Sequence, residues 1–347
     1  MVLVKYAFRR LWFLIFPLLW SSCGGIDKGS PSLTGPLISN GVGGIINNDV
    51  TGGVGRIAFM RRSLESGSYH IYTIKPDGTS EVNLNEEADL ATYSGPSWSA
   101  DGKQIAFASD RSGSANYNIY LMNLDGSDLR EIVQDTGGDF APALSPDGQK
   151  ILFQSWRIDE KRWDIYVVNA DGSGEKLLIS TNLDEQLPSW SPDGSKILYQ
   201  AGLADIGTDI YLANADGSGS ARLTSGNGRL HSSPSWSPDG AKVAFESNLH
   251  QSILLGFTPV AQYELYIIDA NGGNLKRLTF DGGVSSQVQK PTWSPDGTQI
   301  AFEYTSVSPD VITTLTALVV MRIDGSNLFL IPNMPNGGLF PRWSPVP

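Results

Sequence analysis

Pro188-Ser-Trp190-Ser-Pro-Asp-Gly194-Ser-Lys-Ile-Leu-Tyr-Gln200, followed by Asp209-Ile-Tyr-Leu-Ala-Asn-Ala-Asp-Gly217, decides the fold. The same text returns from Pro234 as PSWSPDGAKVAFES and from Pro291 as PTWSPDGTQIAFEY. Upstream it reads PSWSADGKQIAFAS from Pro96 and PALSPDGQKILFQS from Pro142, with Leu144 in the place of tryptophan. A last fragment, PRWSP, begins at Pro341. The aligned residues Trp98, Leu144, Trp190, Trp236, Trp293 and Trp343 stand 46, 46, 46, 57 and 50 residues apart. Self-similarity at such a period is the signature of a repeat architecture.

Each repeat contains four short strand signals. Strand a ends in the Trp-Ser pair. Strand b follows as Ile197-Leu-Tyr199 or Val243-Ala-Phe245, strand c as Asp209-Ile-Tyr-Leu212 or Glu264-Leu-Tyr-Ile267, and strand d as Arg222-Leu-Thr224 or Arg277-Leu-Thr279. β-Branched and aromatic residues suit a pleated, mostly buried sheet. In Ser-Pro-Asp-Gly the proline presets φ and the glycine accepts a left-handed conformation, which makes a tight a–b hairpin. A second Asp-Gly, at 77–78, 125–126, 171–172, 216–217 and 324–325, does the same between c and d, with Asn271-Gly272 in the fifth repeat.

Four antiparallel strands repeated at this period predict an all-β fold, a β-propeller. Counting strand b gives six blades, starting at Ile57, Ile105, Ile151, Ile197, Val243 and Ile300. The first lacks an upstream strand a, and Pro341-Arg-Trp343-Ser344 is a strand a with no strand b after it. The two deficits cancel if the C-terminal strand joins blade one and closes the ring.

The N-terminal residues read differently. Lys5, Arg9 and Arg10 form a positive n-region, and Leu11 to Trp20 is an apolar run too short to span a bilayer comfortably. Ser21-Ser22 then precede Cys23, the single cysteine, and Gly24-Gly25. This arrangement resembles a bacterial lipoprotein signal, which implies lipidation of Cys23. An ordinary cleaved signal and an uncleaved anchor are the alternatives. By that family's sorting tendency, Gly24 after the cysteine points to the outer membrane. Residues 24–54 are rich in Gly, Ser, Pro and Asn and carry almost no charge, as a flexible tether does. The expected organisation is a signal over 1–22, a tether over 23–54 and the propeller over 55–347.

The formal net charge is −11; without the first 22 residues, which hold three cations and no acid, it is −14. An acidic body argues against nucleic acid and against anionic membrane surfaces as direct partners, leaving membrane contact to the lipid. One cysteine excludes a disulfide framework and any multi-cysteine metal site. Gly41-Val-Gly43-Gly44 has no preceding strand and no Gly-Lys-Ser/Thr after it, so it is no phosphate loop. No cofactor motif and no metal-ligand spacing is present.

The W-S-P-D-G, I-A-F, D-I-Y, D-G and L-T elements together resemble the repeats of the TolB propeller family over roughly residues 55–347. The resemblance implies a six-bladed fold and an envelope protein-interaction role. Similar repeats occur in prolyl-oligopeptidase-type peptidases, but no Gly-x-Ser-x-Gly elbow occurs here and no hydrolase domain is expected. TolB also carries an α/β domain before its propeller, where this sequence has only the tether.

The short a–b and c–d turns lie on one face, and the b–c and d–a connections on the other. The second face collects the length variation and is the better candidate for function. Its most divergent segment, Ser247–Tyr263, contains His250, Leu255 and Phe257. Trp156, Arg157 and Arg162 lie in or beside the blade-three b–c loop. Trp156 is not demanded by the repeat, whereas Trp163 aligns with Tyr69, Tyr117 and Tyr263 and reads as framework, as does His70. His231 and His250 are expected in connections of the variable face; two such imidazoles with an acid suit zinc, but no spacing supports that. The acid pairs Glu86-Glu87 and Asp184-Glu185 are expected as solvated loop charges. The leading expectation is a lipid-anchored envelope protein that binds another protein or a cell-wall polymer without covalent chemistry. The alternative is a propeller enzyme acting on oligosaccharide or peptide at the channel mouth.

Overall fold

The computed structural model describes residues 55–346 apart from 86–89, 114–115, 135–136, 158–160, 204–205, 227, 250–262, 281–285, 308–313, 333 and 335–337. Each blade is a four-stranded antiparallel sheet in the order a-b-c-d. Blade two consists of β4 (Tyr93–Trp98), β5 (Gln104–Ser109), β6 (Asn118–Asn123) and β7 (Arg130–Val133). Blade three is β8 (Gly138–Leu144), β9 (Lys150–Arg157), β10 (Arg162–Asn169) and β11 (Lys176–Ile179). Blade four is β12 (Asp184–Trp190), β13 (Lys196–Leu203), β14 (Gly207–Asn214) and β15 (Ala221–Arg222). Blade five is β16 (His231–Trp236), β17 (Lys242–Ser247), β18 (Glu264–Asp269) and β19 (Lys276–Arg277). Blade six is β20 (Ser286–Trp293), β21 (Gln299–Val307), β22 (Thr314–Arg322) and β23 (Phe329–Leu330). Blade one joins β1 (Ile57–Arg62), β2 (Tyr69–Ile74) and β3 (Val82–Asn83) to β24 (Leu339–Trp343), the C-terminal strand. Ile57 pairs with Trp343 and Ala58 with Arg342, so the expected closure is present.

The repeat motifs have separate packing tasks. The apolar side chains do not meet in one centre: among the described residues they form clusters between consecutive blades, such as Ala106, Ile119 and Leu121 of blade two against Leu144, Ile151 and Phe153 of blade three. Blade six meets blade one in the same way, through Leu318 and Val320 against Phe59, Ile74 and Trp343. The third residue of each I-A-F element stacks on the strand-c tyrosine of its own blade. Phe59–Tyr72, Phe107–Tyr120, Phe153–Tyr166, Tyr199–Tyr211 and Phe245–Tyr266 have ring centroids 5.6–5.8 Å apart. In blade six Phe302 faces Val319 instead.

Strand-a tryptophans link neighbouring blades. Trp98 Nε1 donates to the Arg342 carbonyl at 2.9 Å, Trp190 Nε1 to Ala143 O at 3.2 Å and Trp293 Nε1 to Ser235 O at 3.1 Å. Trp236 Nε1 has no such partner. The turn aspartates are turn formers, as expected. Asp193 accepts from Ser191 Oγ at 2.5 Å, and Ser191 Oγ accepts from the Lys196 N–H at 2.9 Å; Ser99/Asp101, Ser145/Asp147, Ser237/Asp239 and Ser294/Asp296 repeat this arrangement.

The six a strands contact one another in a closed inner ring and wall the central channel. Each carries a bulge just before its proline, where pairing with strand b shifts register. The residue at the bulge is left-handed in every blade: Gly95 (φ 58), Ala141 (50), Leu187 (51), Ser233 (52), Lys290 (55) and Phe340 (51). For a non-glycine residue this conformation costs about 1–2 kcal/mol. In most blades the freed bulge N–H is taken by a strand-b side chain of the preceding blade. Leu187 N–H donates to Gln154 Oε1 at 2.8 Å, Ser233 N–H to Gln200 Oε1 at 3.0 Å and Lys290 N–H to Glu246 Oε2 at 3.1 Å. The Phe340 N–H donates to Glu303. Gly95 N–H meets Met60 Sδ at 3.4 Å.

Candidate functional site

On the a–b turn face a shallow cleft of about 480 Å³ opens between blades four and five, lined by Pro192, Asp193, Trp236 and Asp239. A smaller one between blades five and six has Pro238, Asp239, Trp293 and Asp296. Both are lined by repeated residues, so they are the gaps that neighbouring turns leave.

The opposite face carries something the repeat does not specify. Trp156 ends β9 opposite Trp163 of β10, and the two rings meet edge-on at 5.6 Å. Trp163 meets Phe140 of β8 at 5.8 Å, and Phe140 meets Tyr117 at 4.7 Å. Tyr117 stands immediately before β6, at the b–c end of blade two. All four rings are partly exposed. They form a continuous aromatic row from the end of β9 across the inner strand of blade three to the start of β6 in blade two. Burial pushes the Tyr117 phenol up to about 12, so it stays neutral and can donate a hydrogen bond. Such rings present a large rigid contact area at low entropic cost.

The arginines beside this row are engaged within their own blade. Arg157 Nη2 lies 2.6 Å from Glu175 Oε1, and its guanidinium covers the Tyr166 ring at 4.4 Å. Arg162 Nε lies 3.1 Å from Asp164 Oδ1, and Nη2 donates to Ser180 Oγ at 2.9 Å. Both frame the row more than they project from it.

Two expectations need correction. Asp184-Glu185 is not a solvated loop pair: both residues begin β12, and Glu185 is fully buried beneath a hydrogen bond from Thr181 Oγ1. Burial pushes its carboxyl up to about 7, opposed by the Thr181 bond and reinforced by the charge of Asp164. His231 is not in a connection either. It opens β16 opposite Ser247, is 2% exposed and packs edge-on against Phe245 at 5.5 Å. Burial lowers its pKa although Asp209 Oδ1 is 3.9 Å from Nε2. A neutral, buried imidazole is not a surface contact. Glu86-Glu87, His250, Leu255, Phe257 and Cys23 lie outside the described residues. Among the described residues, no three His, Cys, Asp or Glu side chains gather as a metal-ligand set.

Ser66 Oγ lies 3.3 Å from His70 Nε2. Asn83 Oδ1 accepts the Asn85 N–H at 3.1 Å, so its amide nitrogen faces His70 Nδ1 at 3.5 Å and donates. Ser66 and Asn83 thus each face one ring nitrogen of the buried His70.

Residues 55–207 match the family described as the TolB beta propeller domain. The propeller is TolB-like. TolB from Acinetobacter baumannii has the same fold at a TM-score of 0.64 and 23% identity, over 84% of this chain and 66% of that one. A chain assigned as TolB from Agrobacterium tumefaciens matches with a TM-score of 0.61 and 21% identity, over 85% and 95%. A nidogen/laminin complex structure matches at 0.58 and 14% identity, over 84% and 98%. At these identities the likeness is one of fold. This chain thus spans just under two thirds of the Acinetobacter TolB chain. No curated protein matches it by sequence.

Proposed function

We propose that this is a lipid-anchored protein of the bacterial envelope whose TolB-like propeller holds a protein or an envelope polymer, without covalent chemistry. The observation that carries the reading is the partly exposed row Tyr117–Phe140–Trp163–Trp156 on the face where connections vary. It extends the candidate contact from Trp156 to Phe140 on the inner strand of blade three and to Tyr117 of blade two. The TolB-like fold supports a scaffold role and an envelope location. The Cys23 signal pattern supports a lipid anchor, with the outer membrane as its place and the 23–54 tether as spacer.

The catalytic alternative has less support. Asp139 and Glu185 are carboxyls with pKa near 7, yet both are sealed from solvent. Glu246 and Glu303 are buried on the b strands β17 and β21, and each accepts a bulge N–H; burial pushes the Glu303 carboxyl up to about 7 as well.

In-cell crosslinking of the full-length protein, with mass spectrometry of captured material, tests the binding reading. The expected result is a protein partner captured by wild type and lost in Trp156→Ala, or selective retention of wild type on isolated cell-wall polymer. Capture unchanged by Trp156→Ala and Phe140→Ala together would remove the aromatic row from the account. Palmitate labelling tests the anchor: wild type takes label and Cys23→Ser does not, and an unlabelled wild type contradicts lipidation.

A further inference from the structure

Among the described residues the four most exposed large apolar side chains are Leu64 (85%), Leu90 (77%), Phe280 (60%) and Ile206 (58%). All four stand at one end of the ring. Leu64 lies between β1 and β2 and Ile206 between β13 and β14, both b–c connections. Leu90 lies between β3 and β4 and Phe280 between β19 and β20, both d–a connections. The next most exposed, Leu275, Val82, Leu177 and Leu129, stand in or beside outer d strands and none exceeds 48%.

The tips that carry these side chains are braced. Ser63 N–H donates to Ser68 O at 2.8 Å and Gly67 N–H to Ser63 O at 3.1 Å, which closes the hairpin that bears Leu64. Ser68 Oγ donates to the Leu90 carbonyl at 2.6 Å and ties the two leucine-bearing segments together. Ile206 N–H donates to Leu203 O at 3.1 Å, and Thr208 N–H to Arg229 O at 3.2 Å, so the next connection supports this one. The Arg277 guanidinium, itself paired with Glu264, lies 5.0 Å from the centre of the Phe280 ring. Side chains presented in this way lose little freedom when a partner covers them.

An exposed leucine taken singly is ordinary. These four share a second property. In the sequence each has an acid as immediate neighbour: Leu64-Glu65, Asp89-Leu90, Asp205-Ile206 and Phe280-Asp281. None has a basic neighbour. Two b–c and two d–a connections occupy different places in the repeat, so the repeat itself does not produce this pairing. A contact that buries the apolar side chains brings the acids to its border. An anionic bilayer, or a second copy of the same face, would meet them with like charge. A surface with basic side chains beside apolar ones satisfies both members of each pair. The net charge of −14 without the first 22 residues has the same sense.

We propose that this end of the propeller docks a polypeptide surface in which apolar and basic side chains are interspersed. Leu64, Leu90, Ile206 and Phe280 are its apolar contacts, and the neighbouring acids meet the partner's lysines or arginines. The proposal rests on the binding reading given above and names the chemistry of the partner.

The test is calorimetric titration of the full-length protein with three synthetic peptides: alternating leucine and lysine, alternating leucine and glutamate, and alternating serine and lysine. The first should bind, and the other two at least about tenfold more weakly. Replacing Leu64, Leu90, Ile206 and Phe280 together by serine leaves the charge unchanged and should weaken the first peptide by about tenfold or more. Glu65→Gln with Asp205→Asn should weaken it by roughly three- to tenfold. Asp125→Asn with Asp171→Asn removes the same charge from the turn face and should leave binding unchanged. The proposal is overturned if wild type binds the three peptides equally, if the serine variant binds as wild type does, or if the turn-face pair costs as much as the connection-face pair. Attachment to phosphatidylcholine vesicles, or a dimer in sedimentation velocity, that wild type shows and the serine variant lacks would overturn it in favour of a bilayer or a second copy. In-cell capture lost in Trp156→Ala but kept in the serine variant would leave the binding reading standing and remove this proposal. Capture indifferent to Trp156→Ala with Phe140→Ala, yet lost in the serine variant, would remove the aromatic row and support this surface.

Discussion

Trp98 donates its indole N–H to the main-chain oxygen of Arg342 at 2.9 Å, across 244 residues of sequence. The bond joins the inner strand of blade two to a strand from the end of the chain. It is the same link that Trp190 makes to Ala143 and Trp293 to Ser235. The seam that closes the ring is therefore chemically equal to seams between sequence neighbours. Deleting residues 340–347 should destabilise the whole domain in one transition, because Trp343 also packs between blades six and one. Trp98→Phe should cost about 1 kcal/mol and Trp98→Ala about 3–5 kcal/mol in denaturant unfolding. An unchanged midpoint after the deletion would refute the closure.

The left-handed bulge depends on acceptors from the preceding blade. Gln154→Ala and Gln200→Ala each leave a bulge N–H, of Leu187 or Ser233, without its partner. Each should lose about 1–3 kcal/mol of stability, measured by urea unfolding. Position 108, the same strand-b site in blade two, already carries alanine, so Ala108→Gly should show no comparable hydrogen-bond loss.

The buried acids make stability fall as pH rises. Asp139 is fully buried, with Ser155 beside it but no hydrogen bond of normal geometry, and burial raises its carboxyl to about 7. In the unfolded chain it titrates near 4. The folded state therefore binds the proton more tightly, and its stability declines from about pH 4 up to about pH 7 and then levels. Asp139→Asn and Glu185→Gln remove this penalty. Their melting points should gain on wild type between pH 5 and pH 8 by roughly 2–6 °C, as differential calorimetry would show.

The turn aspartates act in the opposite sense. Ser191 and the Ser195 amide hold the Asp193 carboxyl down to about 2. Its contribution is present above the unfolded value near 4 and disappears as pH falls through the folded value. Asp193→Asn should thus weaken the protein at pH 7 and converge with wild type near pH 2.

Blade count, strand order, ring closure and turn chemistry were legible in the sequence, because Ser-Pro-Asp-Gly and Asp-Gly dictate backbone geometry by themselves. The start of strand a was not. A bulge before Pro188 or Pro234 breaks the two-residue alternation, so Asp184-Glu185 and His231 looked like connection when they are buried strand. The same bulge hid Gln154, Gln200, Glu246 and Glu303 as partners, since each serves a residue of the next blade. Trp156 stood out as a departure from the repeat, whereas Phe140 and Tyr117 became part of a surface only when adjacent blades were side by side.

The central claim is that the face of the b–c and d–a connections, not the turn face, meets the partner. A photo-crosslinking amino acid placed at Lys161, beside Trp156 and Trp163, and separately at Ser195 in an a–b turn, compares the two faces in living cells. The account predicts a discrete crosslinked species from position 161 and none from position 195. Crosslinks from position 195 alone, or equally from both, would contradict it.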